Sequence, residues 1–503
     1  MSDLPKKDSL KARTLSGAGW NLVANSSTQL VSLVVFVLLA RQMSLDQFGV
    51  VMLAVLIINF FTIFVKEGVQ DYMVQSARWD ESFISTGFWF MLVGGALLTA
   101  FIALVFAPIA GHLYGAALTP YLQALSPTIF LGAASTTNAA SARREFRFRI
   151  TAFRNFVNGA ISGVVALILF FMGFGPWALI LSRVAAALGA ALLLWVAEPV
   201  PTKLRFSRTD FHGLVRFSAP ILSSRVLSYF ALKISELLLA FVAGPAALAV
   251  FRVGGRINEA LSSLLVHPIV VVALSTFARV PREKAGGAFV RLSTALLAAT
   301  LPIYYGGAAI ANDFVVIFFG EKWREAGPVM SFILLAAAAM LLRSLVPAAL
   351  KAAESTSSLY RFSAVEILSG LFWSSITVHF GPVAVAAGAM VDPHGSLFIN
   401  RDILRAALGV RLLDLFKAVS PYVLSGLGMF ALVKMFEMTV AAGWQPWPRM
   451  LVSVAIGGLV YPALLMAFWR PTLHRLIEEV EPLVPHRARP LFGRVALAMG
   501  AAK

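Results

Sequence analysis

The sequence predicts an all-α polytopic membrane protein of about fourteen transmembrane helices. They are expected to fall into two six-helix lobes, with two further helices at the C-terminal end. Three observations carry that expectation. Apolar residues make up 59% of the 503-residue chain and charged residues only 13%, where soluble domains average about 45–50% and about 25%. Apolar segments of roughly the 20 residues needed to cross a hydrocarbon core recur along the whole length. Lys and Arg are sorted between the loops that join those segments.

The elements follow in order. Residues 1–17 are basic and precede the first apolar segment, 18–40. No small-residue cleavage site lies close behind it, so it reads as an uncleaved span and not a signal peptide. Segments 48–65, 84–107, 118–140, 156–174 and 176–197 complete a first lobe, 18–197. A connector, 198–217, leads to a second lobe, 218–399, with segments 218–243, 246–278, 289–310, 328–348, 362–380 and 382–399. Segment 246–278 is too long for one straight span. Segment 382–399 is short and interrupted by Asp392-Pro393-His394, which marks either a broken helix or a loop. Residues 400–469 hold a loop and two last spans, 419–441 and 449–469, before a basic tail, 470–503.

Charge orients these spans. With the N-terminus inside, 31 of the 42 Lys and Arg residues fall on the inside and 4 outside (Arg41, Lys322, Arg324 and Arg449). The remaining 7 lie within spans. This pattern predicts a multi-pass protein of a bacterial inner membrane with both termini cytoplasmic. A net charge of +17 would suggest nucleic acid in a soluble chain. Here it follows loop position, and no nucleic-acid partner is expected. The longest outside loop, 311–327, is too short to be a domain, which argues against an enzyme acting on lipid-linked sugars outside the membrane.

The chain has no cysteine, which excludes disulfides and thiolate chemistry. It has no HExxH, no GxxxxGK[ST] and no GxSxG, so no metal, ATPase or nucleophile motif is present. No cofactor is expected beyond a coupling ion, a proton or Na⁺. Residues 33–58 resemble 234–257 in layout, and 118–148 resemble 328–362. Both offsets are about 200 residues, as in transporters built from internal repeats.

Charged residues inside spans are costly, about 2.5–3.5 kcal/mol each at a helix centre, so they face protein or a hydrated cavity. Arg225, Tyr229, Lys233 and Glu236 recur at spacings of four, four and three, on one helix face. Arg252, Arg256 and Glu259 recur at four and three. Two readings stay open: structural i,i+3 ion pairs (Lys233–Glu236, Arg256–Glu259), or a hydrated cationic cavity for an anionic head group. Arg suits phosphate because its planar fork binds bidentately. Arg183 and Arg343 are candidates for the same interior. Glu366 is a candidate for a coupling ion or a paired carboxylate. Asn21, Asn25 and Gln29 are candidate cavity-lining residues, or ordinary interhelical hydrogen bonders. The basic run Arg143-Arg144-Glu145-Phe146-Arg147-Phe148-Arg149 reads as topology or as a lipid contact.

With spans, repeat and charged face in hand, the chain resembles the polysaccharide transporters of the multidrug/oligosaccharidyl-lipid/polysaccharide exporter superfamily. It is most similar to the Wzx-type flippases of the WzxC-like branch. The resemblance rests on LLARQMSLDQFGVVMLAVLIINFFTIFVKEGVQDYMVQ (38–75), RREFRFRITAFRNF (143–156), the stretch 205–257 and IANDFVVIFFGEKWREAGPVM (310–330). It implies two lobes around a central cavity, alternating access, and a cargo of undecaprenyl-diphosphate-linked oligosaccharide moved from the inner to the outer leaflet. It further implies membrane lipids, a polysaccharide polymerase and a chain-length regulator as partners. The family's acidic position in the seventh span falls on Glu236 and its basic position in the eighth on Arg256. The sequence departs from the family at Lys66-Glu67-Gly68-Val69-Gln70-Asp71 and at Asp392-Pro393-His394. A drug or metabolite exporter of the same superfamily is the alternative; a polymerase or ligase fits the short outside loops less well.

Overall fold

The computed structural model describes residues 29–470, apart from 30, 67, 278, 282 and 283. Among the described residues every regular element is helical. Among the described residues eight helices are each long and apolar enough to cross a membrane, or nine if one bent pair counts as a span. The chain divides into two compact units, meeting in sequence between Arg252 and Val253.

In the first unit, the apolar helix Val31–Gln42 leads to Leu45–Lys66, whose residues from Val51 to Ile58 are all buried. Gly49 permits a backbone crossing, because a Cβ there would lie 1.9 Å from the carbonyl oxygen of Pro245. The helix beginning at Glu81 is capped by Asp80, whose carboxylate accepts from the Phe83 N–H at 2.9 Å. That bond, with Arg78 beside it, holds the Asp80 carboxyl below its ordinary value. A π turn, Ile102–Phe106, carries this span on to Tyr114.

Residues 118–140, expected as one span, are not a single helix. They form Leu118–Leu125, Pro127–Ala134 and Thr136–Arg144, broken at Ser126 and Ser135. Pro127 starts the second piece, since it cannot donate into the preceding turn. The Thr136 hydroxyl donates to the Val65 carbonyl at 2.9 Å, anchoring the third piece to a neighbouring helix. Phe148–Phe171 and Pro176–Ala197 follow as a packed pair, with the Ile161 side chain seated against Gly189. Ser207 then caps a long helix, Arg208–Leu238, prolonged by a π turn to Ala243. Tyr72 packs on Phe217 with ring centroids 4.6 Å apart, and Phe60 packs on Tyr229 at 5.8 Å. The Tyr229 hydroxyl donates to the Leu56 carbonyl at 2.6 Å.

Pro245–Leu261 leads into the second unit. The overlong segment expected at 246–278 resolves as this helix, a π turn at Ser262–Val266, and His267–Phe277. Ala285–Ala309 is followed by Ala311–Phe319, which lies where an outside loop was expected. The apolar run Phe314–Phe319 makes that stretch helical, and Trp323 just beyond it is fully buried. Ala326–Leu335 and Ala337–Ala352 meet at a 53° bend. Thr356–Thr377 precedes Pro382–Ile399, an uninterrupted helix. Asp392-Pro393-His394 therefore marks neither a break nor a loop. Leu412–Thr439 and Pro446–Phe468 close the unit, and Gly426 lets the first of them sit against the Tyr305 ring.

The expected repeat has a backbone counterpart. Phe146 (φ 56°) precedes Phe148–Phe171 as Glu354 (φ 54°) precedes Thr356–Thr377. Gly175 and Gly381, both at positive φ, each precede a helix that begins with proline. A non-glycine residue at positive φ is uncommon, so two at matching places about 200 residues apart argue for a common plan.

Candidate functional site

The long helix Arg208–Leu238 presents Lys233 and Glu236 one turn apart, so the ammonium reaches the carboxylate at 2.6 Å. Glycine at 244 and Pro245 turn the chain into the next helix, which brings Arg252 back to the same carboxylate at 3.1 Å. Glu236 thus receives two cations within the first unit. The Glu236 side chain is 10% exposed, Arg252 19% and Lys233 28%. Tyr229, one turn before Lys233, fixes the rotation of this helix through its bond to Leu56. Arg225 and Arg183 are exposed side chains on the Arg208–Leu238 and Pro176–Ala197 helices.

In the second unit, Arg256 is buried and pairs with Glu259 at 3.0 Å, one turn on. Between residues 220 and 261 the chain carries four cations and two carboxylates on helices of otherwise apolar character. Lys233, Glu236 and Arg252, all largely withdrawn from solvent, pay a desolvation penalty that ion pairing only partly offsets.

Arg343 and Glu366 form a separate group. Arg343 Nε lies 3.0 Å from Glu366, and its Nη1 lies 2.9 Å from Asp392. Here two carboxylates share one guanidinium, the reverse of the balance around Glu236. Asp392 was singled out in the sequence only as an interruption; its partnership with Arg343 lies across 49 residues and leaves no local signal. A further group went unnoticed. Lys434 pairs with Glu437 at 2.8 Å, and the Ser453 hydroxyl donates to the same carboxylate at 3.2 Å. Asp313, buried, receives Arg449 at 2.8 Å, tying Ala311–Phe319 to Pro446–Phe468. The i,i+3 spacing of Lys434 and Glu437 in an apolar helix was the available signal for the first of these.

Gln29 is helical and half-buried, while Asn21 and Asn25 lie outside the described residues. No group of three metal-ligating side chains occurs among the described residues.

Comparison with known proteins agrees with this architecture. The profile of a family described as polysaccharide biosynthesis protein matches residues 38–328. The succinoglycan biosynthesis transport protein ExoT of Rhizobium meliloti (strain 1021) is 24% identical over 95% of this chain and 98% of its own length. The lipopolysaccharide biosynthesis protein WzxC of Escherichia coli (strain K12) is 22% identical, over 89% and 88%. Among solved structures, the lipid II flippase MurJ in an inward closed conformation superposes with a TM-score of 0.72 at 16% identity. The alignment covers 90% of this chain and 99% of that one, so the two share a fold.

Proposed function

This chain belongs to the polysaccharide biosynthesis protein family, and from that premise we propose that it is a flippase for lipid-linked oligosaccharide. Its cargo is an undecaprenyl-diphosphate-linked repeat unit, carried from the inner to the outer leaflet of a bacterial inner membrane by alternating access. The product feeds exopolysaccharide, capsule or lipopolysaccharide assembly, in company with a polymerase and a chain-length regulator.

The observation that carries this reading is the gathering of Lys233 and Arg252 on the single carboxylate of Glu236, in a multi-pass membrane fold. Arg225 in the same unit and Arg256 in the second carry further phosphate-binding donors, while Glu236 pairs with Lys233 and Arg252 and Glu259 pairs with Arg256. A diphosphate is the anion whose geometry and charge fit such a set. The surplus of cations favours an anionic cargo over a cationic drug, which supports this reading over that of a drug exporter. Glu366 and Asp392, sharing Arg343, have the composition to take up a coupling proton or Na⁺, with charge excess opposite in sign to that around Glu236.

Export in cells tests the assignment. Arg256→Ala in a strain lacking the native gene should abolish surface polysaccharide and trap repeat units on the cytoplasmic side, with the protein inserted at its usual level. Undiminished surface polysaccharide would remove Arg256 from the site.

A further inference from the structure

One end of the first unit carries a charged surface outside the group around Glu236. It is built from the segments 76–89, 138–149 and 198–210, which lie at the ends of candidate spans. Side-chain bonds stitch them together. The Ser141 hydroxyl donates to Glu198 at 2.8 Å, Ser85 accepts from the Lys203 N–H at 3.0 Å, and Thr86 accepts from the Ser207 N–H at 2.9 Å. The connector is therefore a fixed part of this face.

Its charges divide into two groups. Five carboxylates are all committed: Asp80 and Asp210 to Arg78, Glu145 and Glu198 to Arg147, and Glu81 to Lys203. Arg143, Arg149, Arg205 and Arg208 are exposed and make no ion pair among the described residues. No carboxylate of this face is left to neutralise them.

Large apolar side chains stand among these arginines. Leu204 is 89% exposed, Phe146 63% and Phe206 58%. Phe146 holds its place at φ 56°, a backbone conformation that disfavours a bulky residue. Sorting of positive charge by topology accounts for the arginines but not for bare Leu and Phe beside them. A water-facing loop would leave those side chains solvated at a cost. At a bilayer boundary they enter the acyl region, while arginine forks engage the phosphates above.

We propose that this face is a docking surface for anionic phospholipid of the surrounding bilayer, recognised through its phosphate by Arg143, Arg149, Arg205 and Arg208. Phe146, Leu204 and Phe206 insert beside the bound lipid. The surface orients this end of the first unit at the membrane boundary, whatever cargo the protein moves.

The test uses the full chain in nanodiscs of equal phosphatidylglycerol and phosphatidylcholine, with the lipids retained after mild extraction counted by native mass spectrometry. The wild-type protein should retain phosphatidylglycerol preferentially. The variant Arg143→Gln/Arg149→Gln/Arg205→Gln/Arg208→Gln should lower that retention about tenfold or more, with phosphatidylcholine unchanged. A control, Arg279→Gln/Arg361→Gln/Arg405→Gln/Arg411→Gln, removes equal charge elsewhere and should retain the lipid. Should the fourfold variant fail to fold, the pairs Arg143→Gln/Arg149→Gln and Arg205→Gln/Arg208→Gln give the same reading. Equal loss in the control would reduce the effect to net charge and overturn the proposal. So would undiminished phosphatidylglycerol in the variant, or an acidic protein bound there in place of lipid.

Discussion

Glu236 holds two cations, and each loses something different when one partner is removed. Replacing Glu236 by alanine leaves Lys233 and Arg252 facing each other in an apolar setting. Replacing Arg252 leaves the Lys233–Glu236 pair intact. The Glu236→Ala protein should therefore be the less stable, by on the order of 2 kcal/mol, below the figure for a fully buried pair because both cations keep some exposure. Arg252→Ala should melt near wild type yet lose transport, and matched melting curves in detergent check both. Equal destabilisation would show Arg252 to be as structural as Glu236. This scale also sets a limit on sequence reading. The i,i+3 pairs Lys233–Glu236 and Arg256–Glu259 were visible from spacing alone, because helical geometry fixes such neighbours. Arg252 on Glu236, and Arg343 between Glu366 and Asp392, depend on how helices pack, which no local spacing encodes.

Among elements, apolar length located helices well, and breaks within them poorly. Leu45–Lys66, Pro176–Ala197, Leu412–Thr439 and Pro446–Phe468 stand close to their expected places because a continuous apolar run suffices to define them. The three pieces of Leu118–Arg144 and the 53° bend near Ala336 interrupt segments that the sequence reads as single spans. Thr136 anchors the third of these pieces to the Val65 carbonyl, a contact that no local spacing encodes. Helix crossings are similarly hidden until backbones meet. Gly49 and Gly94 both sit in apolar helices, yet only the first faces another backbone. A methyl at Gly49 meets the Pro245 carbonyl, so Gly49→Ala should force the turn before Arg252 aside, lowering both melting temperature and transport. A methyl at Gly94 meets nothing within 4 Å, so Gly94→Ala should be neutral or slightly stabilising, in line with helix propensity. A melting comparison of the two variants decides the point; indistinguishable behaviour would contradict the close crossing.

For the molecule as a whole, composition and charge sorting already indicated a multi-pass helical membrane protein. The family match makes it a polysaccharide biosynthesis protein, and its fold is shared with a lipid II flippase. The central claim is that the cationic stretch around Glu236 receives the diphosphate of a lipid-linked glycan. Its most direct test is reconstitution into vesicles carrying polyprenyl-diphosphate oligosaccharide in one leaflet, with glycan on the opposite face read by a membrane-impermeant lectin. Protein-dependent appearance of glycan on that face is expected, with its loss in the Arg252→Ala/Arg256→Ala protein. Absence of translocation by the folded wild-type protein, or equal translocation by the double variant, would contradict it.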